Sequence, residues 1–243
     1  HPVKIVYTRR EDIQSGTTRH AERIYVRTGV KKDGHITACD YKVYLSAGAQ
    51  TGATMSVAWA AGGKFFKIFS IPNMHYHAIP VYTNRSIAGA MRGFGSPQLF
   101  FALNNQFNQI ANRLGMDFCT FEKMNMHDPK TCDQNGEKLG NLRIKDCVEE
   151  GKRLFEWEEA VQEQKRSAKE NGRYRIGVGM AAAPHGSSLF GIMPDTCGAK
   201  SVGECATVPS AAAVCNAVSN ATGIYFHKLP IRKEDILCQN RQL

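Results

Sequence analysis

The sequence predicts an α+β fold of mixed sheets with packed helices, and three observations carry that prediction. Segments rich in Val, Ile, Tyr and Thr cluster in the first 83 residues, as strands do. A helical stripe follows, with Leu99, Leu103, Phe107, Ile110 and Leu114 recurring every three or four residues. Further helical stretches lie beyond it, so strand meanders and helices occupy separate runs of the chain.

Taken in order, residues 2–8, 22–30 and 35–47 read as strands. Between the last two, Lys31-Lys32-Asp33-Gly34 reads as a hairpin turn, its Asp-Gly pair supplying positive-φ positions. Ile36, Ala38, Tyr41, Val43 and Leu45 partly alternate with polar neighbours, which suits a sheet with one buried face. Residues 48–70 are small and apolar with no clear period; Ile71-Pro72-Asn73 then breaks the chain before another strand at 74–83. Ser96-Pro97 opens the striped helix, Ser capping free N–H groups and Pro fitting the first helical position. Gly115 is its stop. A second helix spans about 118–126, and Asp128-Pro129 ends it. The polar stretch 130–143 marks a boundary that divides the chain into 1–128 and 129–243. Beyond it come a charged helix at 144–168, with Val148, Leu154, Phe155 and Val161 as its apolar side, and a glycine-containing strand at 175–180. The end of the chain reads as an Ala-rich helix from Pro209 to Ala221, closed by Gly223. A short strand at 224–229, Pro230 and a helical turn at 233–237 follow.

Composition narrows the classes. Of 243 residues 42% are apolar and 22% charged, as in ordinary soluble domains. No apolar run approaches the roughly 20 residues of a membrane span. The first residues carry neither a signal peptide nor an initiator Met, so the chain reads as a processed product or a segment. The net charge of +9 invites a nucleic-acid reading, but the basic residues are spread along the chain, in short clusters such as Lys31-Lys32 and Lys165-Arg166. Solvated surface or a subunit contact is the better account. The eight cysteines include no C-x-x-C pair, so neither a zinc nor an iron–sulfur site is signalled. Cys39 and Cys215 fall in apolar stretches as small hydrophobes, which fits a reducing cytoplasm.

Three segments can carry chemistry. In Gly89-Ala90-Met91-Arg92-Gly93-Phe94-Gly95-Ser96-Pro97-Gln98 the glycines permit close backbone approach to a ligand, and the following helix aims its N–H groups at the loop. Arg92 adds charge and Phe94 an aromatic face. Alone, such a loop is more often just a tight connection. In Gly198-Ala199-Lys200-Ser201-Val202-Gly203-Glu204-Cys205 a carboxylate stands among small residues just before a helix. If buried, it suits a general base; if exposed, it is a loop glutamate favoured by the helix start. The third, Gly177 to Ser188, reads as a tightly packed strand, with His185 its only titratable group.

Together these segments resemble the xanthine dehydrogenase/aldehyde oxidase family of molybdenum hydroxylases. Ala88 to Gln98 is similar to the family's A-F-R-G-F-G-G-P-Q motif, with Ile71-Pro72-Asn73 and Val81-Tyr82-Thr83-Asn84 as its lead-in. Gly198 to Glu204 is similar to its G-x-K-G-V-G-E segment, and the order is the same. The resemblance implies the α+β fold of the molybdenum-cofactor-binding domains, with parts of two such regions in 1–128 and 129–243. It implies a molybdenum–molybdopterin cofactor, including its cytosine-dinucleotide form, and a reaction that hydroxylates an N-heterocycle or aldehyde with water-derived oxygen. Glu204 would be the catalytic base. Arg92, Gly93, Phe94, Gly95 and Gly203 would bind cofactor, Phe94 would also stack on substrate, and no side chain would ligate metal directly. Electrons would pass to iron–sulfur clusters and FAD on partner subunits or domains. Departures are Met91 for Phe, Ser96 for Gly, Cys205-Ala206 for Pro-Pro, and no arginine between Val57 and Gly63, which disfavours xanthine itself. Ser188 reaches Gly198 in ten residues where the family has a long pterin loop, so the chain reads as two family segments joined around 189–193. The alternative is a non-catalytic remnant that keeps the scaffold and its subunit contacts.

Overall fold

The computed structural model describes residues 1–170, 172, 174–184 and 203–239. His185, the junction at 189–193 and Gly198 to Val202 lie outside the described residues. Strands β1 (Glu22–Val30) and β2 (Ile36–Gly48) form an antiparallel hairpin, and β3 (Asn73–Tyr82) lies parallel to β2 on its other side. The sheet order is therefore β1-β2-β3, mixed in sense. Parallel pairing needs a crossover, and helix α2 (Thr54–Phe65), within the stretch that has no readable period, supplies it. At the hairpin, Gly34 takes φ 95°. A register shift opposite Gly29 and Val30 skips Thr37, so Ile36 and Cys39 are both buried and Ala38 is not. The bulge explains why alternation is incomplete in the sequence.

Beneath the sheet, Tyr41, Val43 and Leu45 share one core with Phe65, Phe69 and helix α3 (Ser96–Leu114). Leu99, Phe100, Leu103 and Phe107 of α3 are buried, and Phe107 packs edge-on to Phe69 at 5.0 Å. Removing side chains of this size from water contributes about 1.5–3 kcal/mol each. The same core takes in Val148, Trp157, Ala182 and Val208, so residues on both sides of 128 share it.

Several elements differ from the sequence reading. Residues 2–8 are no strand: Val3, Ile5 and Val6 are exposed, and helix α1 (Arg9–Ser15) follows, its start closed by reciprocal Thr8–Glu11 hydrogen bonds. Ser96 does not cap α3. Gly95 takes the cap position at φ 85°, and Ser96 is already helical with its hydroxyl buried. Helix α4 (Phe118–Asn125) is capped by Asp117, whose carboxylate accepts the Thr120 N–H at 2.9 Å. The charged helix is two helices, α5 (Ile144–Phe155) and α6 (Trp157–Glu170), broken at Glu156 with φ 53°. The break seats Trp157, whose indole N–H donates to Asp117 at 3.0 Å.

Residues 175–180 and 224–229 belong to no sheet. Helix asparagines satisfy the backbone of the first segment and of the residues just after it: Asn220 accepts the Val178 N–H, Asn216 donates to the Met180 carbonyl, and Asn104 bonds both ways with Ala182. Gly177 and Gly179 lie against helix α7 (Ser210–Thr222) so closely that a Cβ would stand 2.0 Å and 2.3 Å from its backbone. The second segment is held by Asn105 on the Phe226 carbonyl, and helix α8 (Lys233–Gln239) follows. No helix among the described residues is long and apolar enough to cross a membrane.

Candidate functional site

The site grows from the end of β2. There the chain leaving β3 runs back alongside it: Thr83 N–H donates to Gly48, Ala88 N–H to Ala47 and Gly89 N–H to Thr18. A side chain at Gly48 would meet the Ser86 carbonyl at 2.4 Å, so glycine is required for that approach. The chain then turns through Gly93, Phe94 and Gly95 at φ 88°, 46° and 85° before entering α3. Phe94 N–H closes the turn on Met91 at 2.8 Å, and Ser96 N–H on Gly93 at 3.0 Å. At Gly95 a Cβ would lie 3.0 Å from the Val57 carbonyl, because the turn leans on α2.

The second wall comes from the turn before α7. Gly203 takes φ 51°, and the Glu204 carbonyl accepts the Thr207 N–H at 3.0 Å. Val208, fully buried, packs beside Gly93. This brings the half-buried Glu204 carboxylate onto the backbone N–H of Gly93, which donates to it. Gly93 and Gly95 are buried, Phe94 is half-buried, and Gly203 is exposed. The Arg92 side chain points to solvent, and only its carbonyl takes part in the network. Glu204 and the glycine loop are therefore in direct contact.

Four further groups converge here that the sequence reading did not single out. Arg19 donates to the Arg92 carbonyl at 2.6 Å and to Gln98 Oε1 at 3.4 Å. Burial lowers its pKa, while Glu22 and Glu204 oppose that effect. Glu22 is inward-facing, paired with Leu45; burial pushes its carboxyl up to about 8, against the pull of Arg19. Lys64 of α2 is lowered by burial, with Glu204 and Cys205 acting the other way. His20 meets Thr54 Oγ1 at 3.0 Å, and burial followed by Arg19 holds its pKa below the usual value. One signal in the sequence was readable: Glu22 begins the inward row Glu22, Ile24, Val26, a carboxylate on an apolar face. Nothing local marked Arg19 or Lys64.

The chemistry of this arrangement is specific. A turn of left-handed residues presents an N–H donor, two cations flank it, and an anionic oxygen already occupies the donor. Comparison with known proteins gives the arrangement a context. Residues 1–126, just over half the chain, match the model of the molybdopterin cofactor-binding domain. The chain belongs to that family. Among its relatives, the xanthine dehydrogenase molybdenum-binding subunit of Escherichia coli O157:H7 is 31% identical over 202 residues, covering 82% of this chain and 26% of that protein. The nicotinate dehydrogenase large molybdopterin subunit of Eubacterium barkeri is 32% identical over 140 residues, covering 58% and 33%. This chain thus spans about a quarter to a third of these relatives. In fold it resembles the aldehyde oxidoreductase of Desulfovibrio gigas, with TM-score 0.64 and 23% identity over 72% of this chain and 19% of that one. It also resembles quinoline 2-oxidoreductase of Pseudomonas putida 86, with TM-score 0.65 and 19% identity over 73% and 23%.

The residues present fit a molybdopterin cofactor at this loop. A donor that accommodates a carboxylate oxygen suits an oxygen-rich anionic centre, and a Cβ at Gly93 would strike the Pro97 ring at 2.6 Å.

Proposed function

We propose that this chain is the molybdenum-cofactor-binding part of an enzyme that hydroxylates an N-heterocycle or an aldehyde with oxygen from water. The carrying observation is the Gly93 N–H donating to the Glu204 carboxylate, a contact between two segments 111 residues apart. The names of the relatives, xanthine and nicotinate dehydrogenases and aldehyde and quinoline oxidoreductases, support that substrate class. When bound, the cofactor supplies the two-electron redox chemistry, which protein side chains lack. Arg92, Gly93, Phe94, Gly95 and Gly203 would hold it, Arg92 through its backbone since its side chain points to solvent, and the half-buried Phe94 ring would offer a face on which a flat substrate stacks.

Glu204 is the proton acceptor. Its carboxylate accepts the Gly93 N–H, which aims it at that loop, and Arg19 and Lys64 interact with it electrostatically. Iron–sulfur and flavin groups on partner subunits or domains would supply the path for the electrons. The division at 128 separates parts of two cofactor-binding regions that pack on one core. Free thiols at Cys39, Cys119, Cys132, Cys147, Cys205 and Cys215 support a reducing, cytoplasmic setting.

The test is Glu204→Gln in the enzyme that carries this chain. The amide keeps an oxygen for the Gly93 N–H but cannot act as the base. Turnover is expected to fall by about a hundredfold or more with molybdenum content unchanged. Full turnover in the variant would remove Glu204 from the mechanism.

A further inference from the structure

The carbonyl of Arg92 and the N–H of Gly93 belong to one peptide unit. A trans peptide is planar, so its oxygen and its hydrogen point in opposite directions, and fixing one aims the other. Arg19 grips the oxygen at 2.6 Å with one arm of its guanidinium, while the other arm reaches Gln98 Oε1 in the first turn of α3. The N–H on the opposite edge donates to Glu204. We infer that Arg19 is a positioning residue: braced on Gln98 by one arm, it holds the Arg92–Gly93 peptide with the other and so sets the direction and strength of the Gly93 donor in the active site.

Three features support this assignment. The loop passes through three left-handed residues in succession, a backbone that alternative peptide orientations would otherwise share. A charged donor on the carbonyl polarises the peptide, so the N–H becomes a better donor to an anionic oxygen. Arg19 is itself anchored: it immediately precedes His20, whose ring is buried on Thr54 and whose carbonyl accepts from Gln98 at 3.3 Å. The side chain that orients the loop thus rides on a segment tied to both α2 and α3. Lysine cannot replace it, because an ammonium on a flexible stem lacks the fork that spans both acceptors.

The inference deepens the cofactor reading and rests on it for the donor's purpose, but its test needs no molybdenum. Amide hydrogen exchange and the amide proton shift of Gly93, read by NMR on the full chain, report the donor directly. In Arg19→Gln, Gly93 protection is expected to drop about tenfold or more and its proton to move upfield, while Leu103 and Phe107 in α3 stay within about twofold. Arg19→Lys is expected to show the same local loss in smaller measure, and it decides the matter if the glutamine variant fails to fold. Unchanged Gly93 protection and shift would overturn the assignment. So would a loss shared equally by Leu103 and Phe107, which would mean general destabilisation. Failure here leaves the cofactor reading standing, and a chain that never takes up molybdenum leaves the Arg19 grip standing.

Discussion

Two carboxyl groups on the core side of the sheet and helices are held protonated by burial. Glu122 on α4 is fully buried with neither oxygen hydrogen-bonded, and burial pushes its carboxyl well above the ordinary 4.5. Glu22 is raised to about 8 for the same reason, with Arg19 opposing. An acid raised in this way keeps its proton longer in the folded chain than in the unfolded one. Its contribution to stability is complete below about 4.5 and is lost as pH climbs toward the folded value, near 8 for Glu22. Glu122→Gln, which cannot ionise, is therefore expected to gain on the natural protein as pH rises from 5 to 8, by up to about 1.4 kcal/mol per unit. His20 and His127, lowered by burial, act in the opposite sense but are common to both proteins and cancel in the difference. Urea unfolding of both proteins across that range is the measurement; a constant gap would mean that Glu122 is ionised in the fold. At this scale the sequence was partly legible. Gly93, Phe94 and Glu204 were readable because a motif announces them, whereas Arg19 acts on a carbonyl 73 positions away.

Strands and helices were legible wherever one face is apolar and the backbone bonds stay within the element. The strands at β1, β2 and β3 and the helices α3, α4 and α7 follow that rule. Residues 175–180 and 224–229 do not. Their apolar character is that of a strand, but asparagines on α3 and α7 take the place of a neighbouring strand. Alternation reports burial of a side chain and says nothing of which group satisfies the backbone. A matched pair of substitutions follows from this packing. Gly179→Ala would drive a methyl into the α7 backbone, 2.3 Å from the Ala217 nitrogen, and is expected to cost about 1–3 kcal/mol. Gly151→Ala, on the exposed face of α5 with nothing within 4 Å, is expected to stabilise by about 0.5–1 kcal/mol. Denaturant midpoints separate the two; a neutral Gly179→Ala would show that the 175–180 segment does not press on α7.

For the whole molecule, the site depends on packing among distant parts of the chain. Segment 17–20 bonds to Ile87 and Gly89, α3 carries the glycine loop, and α7, packed along α3, delivers the turn that holds Glu204. All of this rests on a core shared across residue 128. The family relation makes a molybdopterin cofactor the group to expect, and the donor, cations and carboxylate around Gly93 are suited to it. These parts, as assembled in this chain, are proposed to hold that cofactor. Metal analysis of the purified chain, produced together with the machinery that makes the cofactor, tests it most directly. About one molybdenum per chain is expected, lost on denaturation along with the pterin, and less than about a tenth of a molybdenum per chain would contradict cofactor binding by this chain.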